Sequence, residues 1–289
     1  MTTISIPELK YIQANGLKFA YFEEGSGPLV LLVHGFPDTA HTWDQVRPAL
    51  AAAGFRAVSP FTRGYAPTEI PREEAFDADT LGRDILALIE ALGETQAILV
   101  GHDWGASAAF SAVGLMPSRI RKLITLALPH PLSLTFMPFF FWPFVMWGCR
   151  HYFWLSRKNA ADRIKAKNMV YLDTLVQRWS PGWNVPLGET DEVKKSFETP
   201  GSLEAALGYY RAVNGPGLPT TAQRIKVSVP SIAFCGTSGI PPAAFEGARK
   251  CYLNRYEVVS MPGGHSVHRE HPSHFMQELL RVLAEDSVS

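Results

Sequence analysis

Cysteine is scarce in this chain, with three residues among 289, at Cys149, Cys235 and Cys251. An odd and sparse set without metal-ligand spacing indicates neither a disulfide framework nor a thiolate metal site. We therefore predict three free thiols and a cytoplasmic location, where thiols stay reduced.

An excess of charge of one sign is also lacking, because 27 Lys and Arg residues balance 27 Asp and Glu residues. Proteins that bind nucleic acids or anionic membranes favour an excess of Lys and Arg. The balance therefore argues against nucleic acid and against anionic membranes as partners. No basic region precedes a long apolar run in residues 1–8, so we expect no signal peptide.

An almost unbroken apolar and aromatic run occupies residues 134–147. It is shorter than the roughly 20 residues that cross a bilayer, and Pro138 and Pro143 would break a helix. We therefore expect no stable membrane insertion. We favour the wall of an apolar substrate pocket, or buried packing, over a patch that touches lipid, since large binding pockets are usually lined by such side chains.

Residues 98–116 carry the most informative pattern. An apolar run ends in Gly-His-Asp-Trp-Gly and continues as an Ala-rich run, which predicts a strand, a sharp turn and a helix. Gly101 and Gly105 flank the apex because such a turn crowds its backbone. The apex residue is Asp103, whose carboxylate can attack an electrophilic sp3 carbon and form an ester. The alternative is an ordinary turn in which Asp103 caps the helix.

The sequence His-Gly-Phe-Pro at residues 34–37 follows a predicted buried strand. There the amide of Phe36 can converge with the amide of Trp104 on the carbonyl oxygen of an Asp103 ester, forming an oxyanion hole. The X–Pro bond in this motif is a candidate for the cis form. We expect His34, which directly precedes the turn, to form structural hydrogen bonds rather than to act as a base.

His265 follows a predicted short strand and a flexible Gly-Gly pair near the end of the chain. A nucleophile first and a histidine last is the chain order of α/β-hydrolases, so His265 is the candidate base that activates water. The chain also offers a histidine series with the spacing of metal ligands: His265, His268, His271 and His274. Pro272 interrupts a shared helical face, and structural sites favour closed sets of mixed ligands, so we expect no metal.

Strand and helix patterns alternate along most of the chain, which predicts an α/β protein whose mostly parallel sheet is covered on both faces. Strands are predicted at residues 17–23, 29–33, 56–59, 97–100, 122–126, 231–234 and 257–261. Helices are predicted at residues 42–52, 80–92, 106–116 and 273–284. The alternation breaks at 131–221, which predicts a helical cap domain inserted into a catalytic domain formed by residues 1–130 and 222–289.

These motifs resemble those of α/β-hydrolases in the epoxide hydrolase and haloalkane dehalogenase group. The matching segments follow the order of that group and lie at residues 34–37, 63–65, 101–106, 129–131, 264–265 and 269–272. The resemblance implies the α/β-hydrolase fold, with a mostly parallel eight-stranded sheet flanked by helices and an inserted helical cap, or lid. It also implies catalysis through Asp103 without a metal or organic cofactor.

Epoxide hydrolases similar to this chain use two cap tyrosines to donate to the oxygen of the opening epoxide. The segment 208–211 resembles the Tyr-Arg motif of that group and assigns Tyr210, and Tyr152 resembles the other tyrosine. The alternative for both is packing of the ring in the core of the cap. The resemblance thus implies conversion of an apolar epoxide to a vicinal diol, in a pocket lined by Phe36, Trp104 and His130.

A haloalkane dehalogenase is the alternative within the same group. The Trp104 indole can donate to a leaving halide, but many dehalogenases supply the second donor from an Asn where this chain has Phe36. The segment 129–131 also resembles epoxide hydrolases more closely. A serine esterase is not expected, because the chain has no Gly-x-Ser-x-Gly turn.

One departure from the group concerns the acid that orients the catalytic histidine. Gly239 stands where members of the group carry an Asp, and the alternative position after the sixth strand offers no carboxylate. Ser238 and Glu246 are candidates to replace that acid. The departure leaves open a degenerate hydrolase that binds ligands without turnover. A homodimer also remains open as an alternative to a monomer.

Overall fold

The computed structural model describes residues 7–213 and 218–285. The eight strands within those residues are β1 (Lys10–Ala14), β2 (Leu17–Glu24), β3 (Leu29–Val33), β4 (Arg56–Pro60), β5 (Ala97–His102), β6 (Ile120–Leu126), β7 (Ser231–Gly236) and β8 (Tyr256–Met261). The α-helices there are α1 (Val46–Ala52), α2 (Ala78–Ala91), α3 (Trp104–Leu115), α4 (Trp142–Gly148), α5 (Arg150–Leu155), α6 (Ala160–Lys165), α7 (Val170–Trp179), α8 (Asp191–Glu198), α9 (Ser202–Arg211), α10 (Pro242–Gly247), α11 (Val267–Glu270) and α12 (Pro272–Ala284).

One sheet contains these strands in the order β1-β2-β4-β3-β5-β6-β7-β8. β2 pairs antiparallel with β1 and β4, and the other neighbouring pairs in that order are parallel. The predicted α/β fold with a mostly parallel sheet is confirmed. Because β3, β5 and β8 run in the same direction, the segments that follow them meet at the carboxyl edge of the sheet.

The central strand β3 is apolar throughout because both faces of the sheet are covered. On β3, Val30 and Leu32 pack into the core that α1 and α12 share, whereas Leu31 and Val33 pack into the core shared with α2 and α3. Successive residues of a strand point to opposite faces, so both sets of side chains on β3 are buried and apolar. This arrangement explains the continuous hydrophobic runs of the sequence.

The predicted strands agree with the structure to within two residues at each end. Sequence patterns miss β1, an edge strand whose residues are mostly exposed and show no clear alternation. The helix predicted over 42–52 is wrong in its first part, because residues Ala40–Trp43 form a 3-10 turn before α1.

The chain between β6 and β7 forms α4 to α9 and short 3-10 turns, with no strand in the sheet over the described residues of that segment. The expectation that the run 134–147 is buried is wrong for most of its length, because Phe139, Phe144 and Trp147 are exposed. No helix in the described part of the chain is both long and apolar enough to cross a membrane.

The loop after β4 holds α9 in place. The Tyr209 hydroxyl donates to the Arg63 carbonyl oxygen at 2.5 Å, and the Ser202 hydroxyl donates to the Gly64 carbonyl oxygen at 2.9 Å. Gly64 adopts φ +85°, and a Cβ there would lie 3.0 Å from the Cβ of Ala205. Only glycine allows both this backbone conformation and this close approach. The loop therefore fixes the helix that carries Tyr210.

A buried ion pair fixes the same loop to α2. Arg63 donates two hydrogen bonds of 2.7 Å to the carboxylate of Asp84. Replacing Arg63 by methionine leaves this carboxylate buried without its cation, so we expect the free energy of unfolding to fall by about 3–5 kcal/mol in denaturant titrations. The double variant Arg63→Met/Asp84→Leu should recover most of the loss, since apolar pairs often replace buried ion pairs without penalty.

The half-exposed pair between Lys165 and Glu204, with a distance of 2.6 Å, provides the control for this prediction. Lys165→Ala should lower the free energy of unfolding by at most about 1 kcal/mol, because solvent screens such pairs. An equally small loss for Arg63→Met would contradict a stabilising role of the buried pair.

Candidate active site

β5 and α3 meet at a sharp turn whose apex is Asp103, with φ 53° and ψ −119°. A positive φ is uncommon for a residue other than glycine. It is typical of a nucleophile that a sharp turn presents above the end of a strand. Close packing requires glycine on both sides of the apex. A Cβ on Gly101 would lie 2.5 Å from the Gly105 carbonyl oxygen, and a Cβ on Gly105 would lie 2.2 Å from the Val33 carbonyl oxygen. Asp103 makes no side-chain capping hydrogen bond to α3, so the alternative role as a helix cap is not supported.

The Asp103 carboxylate lies against the motif at residues 34–37. The Phe36 amide donates a hydrogen bond of 3.0 Å to Asp103 Oδ1. A Cβ on Gly35 would lie 2.5 Å from the same oxygen and 2.6 Å from the Trp104 amide nitrogen, so only glycine permits this approach. Trp104 opens α3, and its amide therefore has no acceptor inside the helix. Two amides thus lie beside the carboxylate, and the peptide bond between Phe36 and Pro37 is cis.

His265 follows β8 and reaches Asp103 from the other side. Its Nε2 lies 3.4 Å from Asp103 Oδ2, a distance that is long for a hydrogen bond but short enough for electrostatic attraction. This nitrogen is buried and makes no hydrogen bond within the described residues, which leaves it available to bind a water molecule. The pair combines a carboxylate with a base that is positioned to take a proton next to it.

Burial raises the pKa of Asp103, but contacts with His265, His102 and the Phe36 amide outweigh burial and hold the pKa below its ordinary value. The Asp103 side chain is therefore an anion at neutral pH. An ionised carboxylate in a largely water-free site is a competent nucleophile toward an electrophilic carbon.

Hydrogen bonds made by backbone groups fix the loop that carries His265. The His265 amide donates to the Trp179 carbonyl oxygen at 3.1 Å, and His102 Nε2 donates to the His265 carbonyl oxygen at 3.0 Å. The Glu270 carboxylate accepts a hydrogen bond from the Gly264 amide at 2.9 Å. The His265 ring also contacts the rings of Trp179 and His102, with centroid distances of 4.9 and 4.8 Å. Packing and backbone bonds therefore position the imidazole.

Gly239 lies beside this loop, as a Cβ there would be 3.4 Å from the carbonyl carbon of Gly264. Neither candidate for replacing the acid makes a hydrogen bond or an ion pair with the histidine within the described residues: Glu246 is exposed and pairs with Arg249 at 2.8 Å, and Ser238 is exposed on its turn. Within the described chain, the ion pair of His265 is with Asp103. The histidine is therefore positioned without a dedicated carboxylate partner.

Two tyrosines from the inserted helical segment reach the surroundings of Asp103. Tyr152 lies on α5 and Tyr210 on α9, and their ring centroids are 4.9 Å apart. The Trp104 ring lies 5.8 Å from Tyr152 and 5.3 Å from Tyr210, and the Phe36 ring lies 5.4 Å from Tyr210. The structure thus brings four of the predicted site residues into one aromatic cluster beside the carboxylate.

Both phenols in this cluster stay protonated. Burial raises the pKa of Tyr152 and of Tyr210 well above the ordinary value, and the negative charge of Asp103 adds to the shift. The Trp104 indole faces the Tyr210 hydroxyl and opposes only part of this shift. Two neutral O–H groups close to an anionic nucleophile can donate to an oxygen on which charge develops.

His130 does not join this cluster, in contrast to the predicted pocket lining. In the described structure its ring lies 4.4 Å from the ring of Phe110 and 5.9 Å from that of Tyr252, centroid to centroid. Its Nδ1 accepts a hydrogen bond from the Leu132 amide at 3.2 Å. Burial lowers the pKa of His130 to about 3, so the ring is neutral, and through Phe110 it packs against α3.

His34 forms structural hydrogen bonds, consistent with its place before the turn. Its Nδ1 donates to the Gly35 carbonyl oxygen at 3.0 Å, and its Nε2 accepts from the Thr62 amide at 3.0 Å. Burial lowers the pKa of His34 to about 4. Both ring nitrogens are occupied, so His34 supports the loop that carries Phe36.

Three potential metal ligands, Asp38, His102 and His268, place their ligand atoms within 4.8 Å of one another. Asp38 accepts from Arg269 at 2.7 Å, and His268 Nε2 lies 2.7 Å from the Thr42 hydroxyl. The Arg269 cation competes with a metal ion for the carboxylate, and His102 Nδ1 and His268 Nδ1 make no hydrogen bond within the described residues. Of the four histidines with metal-ligand spacing in the sequence, His268 belongs to this group, whereas His271 and His274 are exposed and His265 contacts Asp103.

Sequence reasoning missed Trp179 and Glu270, which hold the His265 loop. Glu270 follows the histidine by five residues and lies in a segment already noted for its resemblance, so its acidic character was a usable signal. Trp179 lies 86 residues before the histidine, at the end of α7, and no local pattern indicates the contact.

The profile of the alpha/beta hydrolase fold family matches residues 28–272, so the chain belongs to this family. It is 30% identical over 209 residues to the AB hydrolase superfamily protein YfhM of Bacillus subtilis (strain 168), a match that covers 71% of this chain and 72% of that protein. Epoxide hydrolase CorEH has a similar structure, with a TM-score of 0.83 and 24% identity over 96% of this chain and 99% of that chain. This structural likeness agrees with the fold.

Shorter stretches are more similar to epoxide hydrolases. The chain is 41% identical over 120 residues to an epoxide hydrolase of Caballeronia sordidicola, which covers 41% of this chain and 36% of that protein. It is 36% identical over 126 residues to epoxide hydrolase A of Mycobacterium tuberculosis (strain ATCC 25618 / H37Rv), which covers 43% of this chain and 39% of that protein. The matched stretches therefore span less than half of either relative.

Proposed function

We propose that this protein is an epoxide hydrolase that converts an apolar epoxide into a vicinal diol. The supporting observation is the meeting of one ionised carboxylate, Asp103, with two protonated phenols, Tyr152 and Tyr210. A carboxylate alone can attack several kinds of electrophile, but opening an epoxide also requires donors for the oxygen whose bond breaks. The similarity to relatives named epoxide hydrolases supports the same conclusion.

In the first half of the proposed reaction, the Asp103 carboxylate attacks one ring carbon of the epoxide. A carbon–oxygen bond of an ester forms while the bond from that carbon to the ring oxygen breaks. The electron pair of the broken bond stays on the ring oxygen, which Tyr210 and Tyr152 hydrogen-bond and protonate. Nothing departs, because the ring oxygen remains attached through its other carbon.

In the second half, His265 takes a proton from a water molecule whose oxygen attacks the carbonyl carbon of the ester. The amides of Phe36 and Trp104 hold the charge that develops on the carbonyl oxygen. Collapse of this intermediate breaks the ester bond, and the departing alkoxide takes the proton of the added hydroxyl, which releases the diol and restores the Asp103 carboxylate. The proton on His265 replaces the one given by the tyrosine. One water is consumed for each epoxide, and no cofactor takes part.

The surroundings of Asp103 favour this reaction over the release of a halide. A leaving halide needs N–H donors, but the Phe36 side chain offers none and the Trp104 indole faces the Tyr210 hydroxyl. The test measures diol formation from an apolar aryl epoxide beside bromide release from an aryl bromoalkane of similar size. We expect diol above background without bromide. Bromide release without diol would overturn the proposal.

Replacing Tyr210 by phenylalanine should slow ester formation by about 10²-fold, because the developing alkoxide loses a proton donor. Tyr152→Phe should act in the same direction. The matched control is Tyr209→Phe on the same helix, whose hydroxyl is bonded to the Arg63 carbonyl oxygen. Its loss should cost about 1 kcal/mol of stability and leave the chemical step intact, because the bond from the Ser202 hydroxyl to the Gly64 carbonyl oxygen still holds α9 against the loop. Single-turnover measurements of ester formation distinguish the variants, and equal rates for Tyr210→Phe and Tyr209→Phe would contradict the assigned role.

The proposal extends to the organisation of the chain. We assign residues 131–221 to a cap domain, since α5 and α9 in this segment carry the two tyrosines and the segment lies between β6 and β7. We assign the protein to the cytoplasm, a location supported by its free cysteines Cys149, Cys235 and Cys251.

A further inference from the structure

Residues 136–147, here named the aromatic ridge, contain seven aromatic residues and no charged residue. Most of these side chains face water, in contrast to those around Asp103: Phe139, Phe144 and Trp147 are 84%, 74% and 70% exposed. Large apolar patches are rare on soluble monomers and mark sites that contact another molecule or a membrane. The proposed reaction makes no use of the ridge, so its exposure requires another explanation.

A basic segment directly follows the ridge. Residues 150–167 contain six Lys or Arg residues, of which Lys165 pairs with Glu204, and one acidic residue, although the whole chain carries no net charge. Arg157, Lys158 and Lys167 are exposed. The Arg150 guanidinium lies 4.6 Å from the ring centroid of Trp147, so the first cation of the segment sits on the ridge itself. An exposed aromatic surface therefore adjoins a local excess of positive charge.

We propose that the aromatic ridge and the basic segment dock this protein reversibly on membranes that contain anionic lipids. Phe and Trp side chains enter the boundary between headgroups and acyl chains, and the adjoining Lys and Arg side chains meet the lipid phosphates. Trp favours this boundary because it combines an apolar ring with a polar N–H. No described helix can cross a membrane, so the contact is peripheral.

A second copy of this chain fits the surface less well than a lipid does. Symmetric pairing of the ridge would bring two copies of the basic segment together, and repulsion between like charges opposes such a contact. An anionic lipid surface is instead complementary to that charge. The neutrality of the whole chain, which argues against an anionic membrane, hides this local asymmetry.

Docking at this surface would also serve the proposed function. The ridge leads within a few residues into α5, which carries Tyr152 beside the carboxylate. Apolar epoxides partition into membranes, so a cap at the lipid surface would meet its substrate where that substrate is concentrated. This consequence rests on the proposed function, whereas the docking itself does not.

Co-sedimentation with vesicles tests the docking. One set of vesicles contains phosphatidylcholine alone, and the other contains equal parts of phosphatidylcholine and phosphatidylglycerol. We expect the protein to pellet with the mixed vesicles, to pellet less with the neutral ones, and to be released by salt. Phe144→Ser/Trp147→Ser should weaken binding by about tenfold or more, and Arg157→Gln/Lys158→Gln by about fivefold for each charge.

Leu253→Ser is the matched control, because Leu253 is an exposed apolar residue outside the ridge. It should bind the mixed vesicles like the unmodified chain. All variants should form diol from a water-soluble epoxide at the same rate. If neither the unmodified chain nor any variant forms diol, while the pattern of vesicle binding is as expected, the proposed function fails and the docking stands.

Two results would overturn the docking. The first is a failure of the unmodified chain to pellet with the mixed vesicles, and the second is equal binding by Phe144→Ser/Trp147→Ser. Size-exclusion chromatography with light scattering identifies the alternative occupant. A dimer that becomes a monomer in this variant, without vesicle binding, would show that a second copy covers the ridge.

Discussion

Replacing Asp103 by alanine is expected to abolish diol formation, with a loss of at least about 10⁴-fold in kcat/KM. The side chain contacts both the Phe36 amide and His265, so its removal takes away the nucleophile and the ester that those groups would act on. His265 alone can activate water, but water would then have to open the epoxide without a covalent step. Diol measured by chromatography after long incubation with an aryl epoxide detects the residual rate.

Asp103→Asn is the sharper variant, because alanine tolerates a φ of 53° less well than aspartate or asparagine does. Asparagine keeps the volume of the side chain and an oxygen for the Phe36 amide, but it lacks the nucleophilic carboxylate. We expect Asp103→Asn to be as inactive as the alanine variant and to unfold like the unmodified protein. Asp44→Asn, which removes a partly buried carboxylate paired with Arg47, should keep its activity.

Intact-mass measurement ties the loss to the covalent step. After brief exposure to the epoxide and quenching in acid, the unmodified chain should gain the mass of one epoxide, because epoxide opening adds all its atoms to the ester. Asp103→Asn should show no adduct. Diol formation by Asp103→Asn at a rate close to that of the unmodified chain would refute the ester mechanism.

The parts of the fold and the site that follow from local spacing were accessible from the sequence. β3 is apolar throughout because both faces of the sheet are covered, and the turn bounded by Gly101 and Gly105 carries Asp103 at its apex. Asp103 follows β5 and His265 follows β8, and these strands run in the same direction, so both residues lie at the carboxyl edge of the sheet. The positions of Phe36 and Trp104 follow from the same geometry.

Other features depend on long-range contacts or on which way a side chain faces, and the sequence carries no pattern for either. Hydrophobicity alone could not distinguish an exposed ridge at residues 136–147 from a buried one. His130 lies in a motif that resembles the group, yet its ring packs on Phe110. Trp179 reaches the His265 amide from a helix far away in the chain.

Restoring a carboxylate at position 239 is expected to speed hydrolysis of the ester. Trp179 and Glu270 hold the loop of His265, and ring contacts hold the imidazole, but none of these contacts selects the tautomer that leaves Nε2 free to accept a proton. In a serine protease, loss of the carboxylate that fixes this tautomer costs about 10⁴-fold in rate. That value is the upper limit of the gain in Gly239→Asp.

The structure admits this substitution. A Cβ at position 239 would lie 3.4 Å from the Gly264 carbonyl carbon, which is an ordinary contact, and the backbone there does not adopt the left-handed conformation that favours glycine. An aspartate would therefore stand beside the loop of His265 without displacing it. Gly239→Asn, with the same volume and no charge, is the matched control, because any effect of packing alone appears in both variants.

The expected gain falls on one step of the reaction. Attack by Asp103 on the epoxide needs no base, so rapid mixing should show equal rates of ester formation in the unmodified chain and in both variants. Ester breakdown should accelerate only in Gly239→Asp, and the fraction of ester present during turnover should fall in that variant alone. Equal breakdown in Gly239→Asp and Gly239→Asn would mean that Trp179 and His102 already orient His265 sufficiently. An ester that forms but persists in the unmodified chain, and turns over only in Gly239→Asp, would identify the natural protein as a hydrolase stalled after its first step.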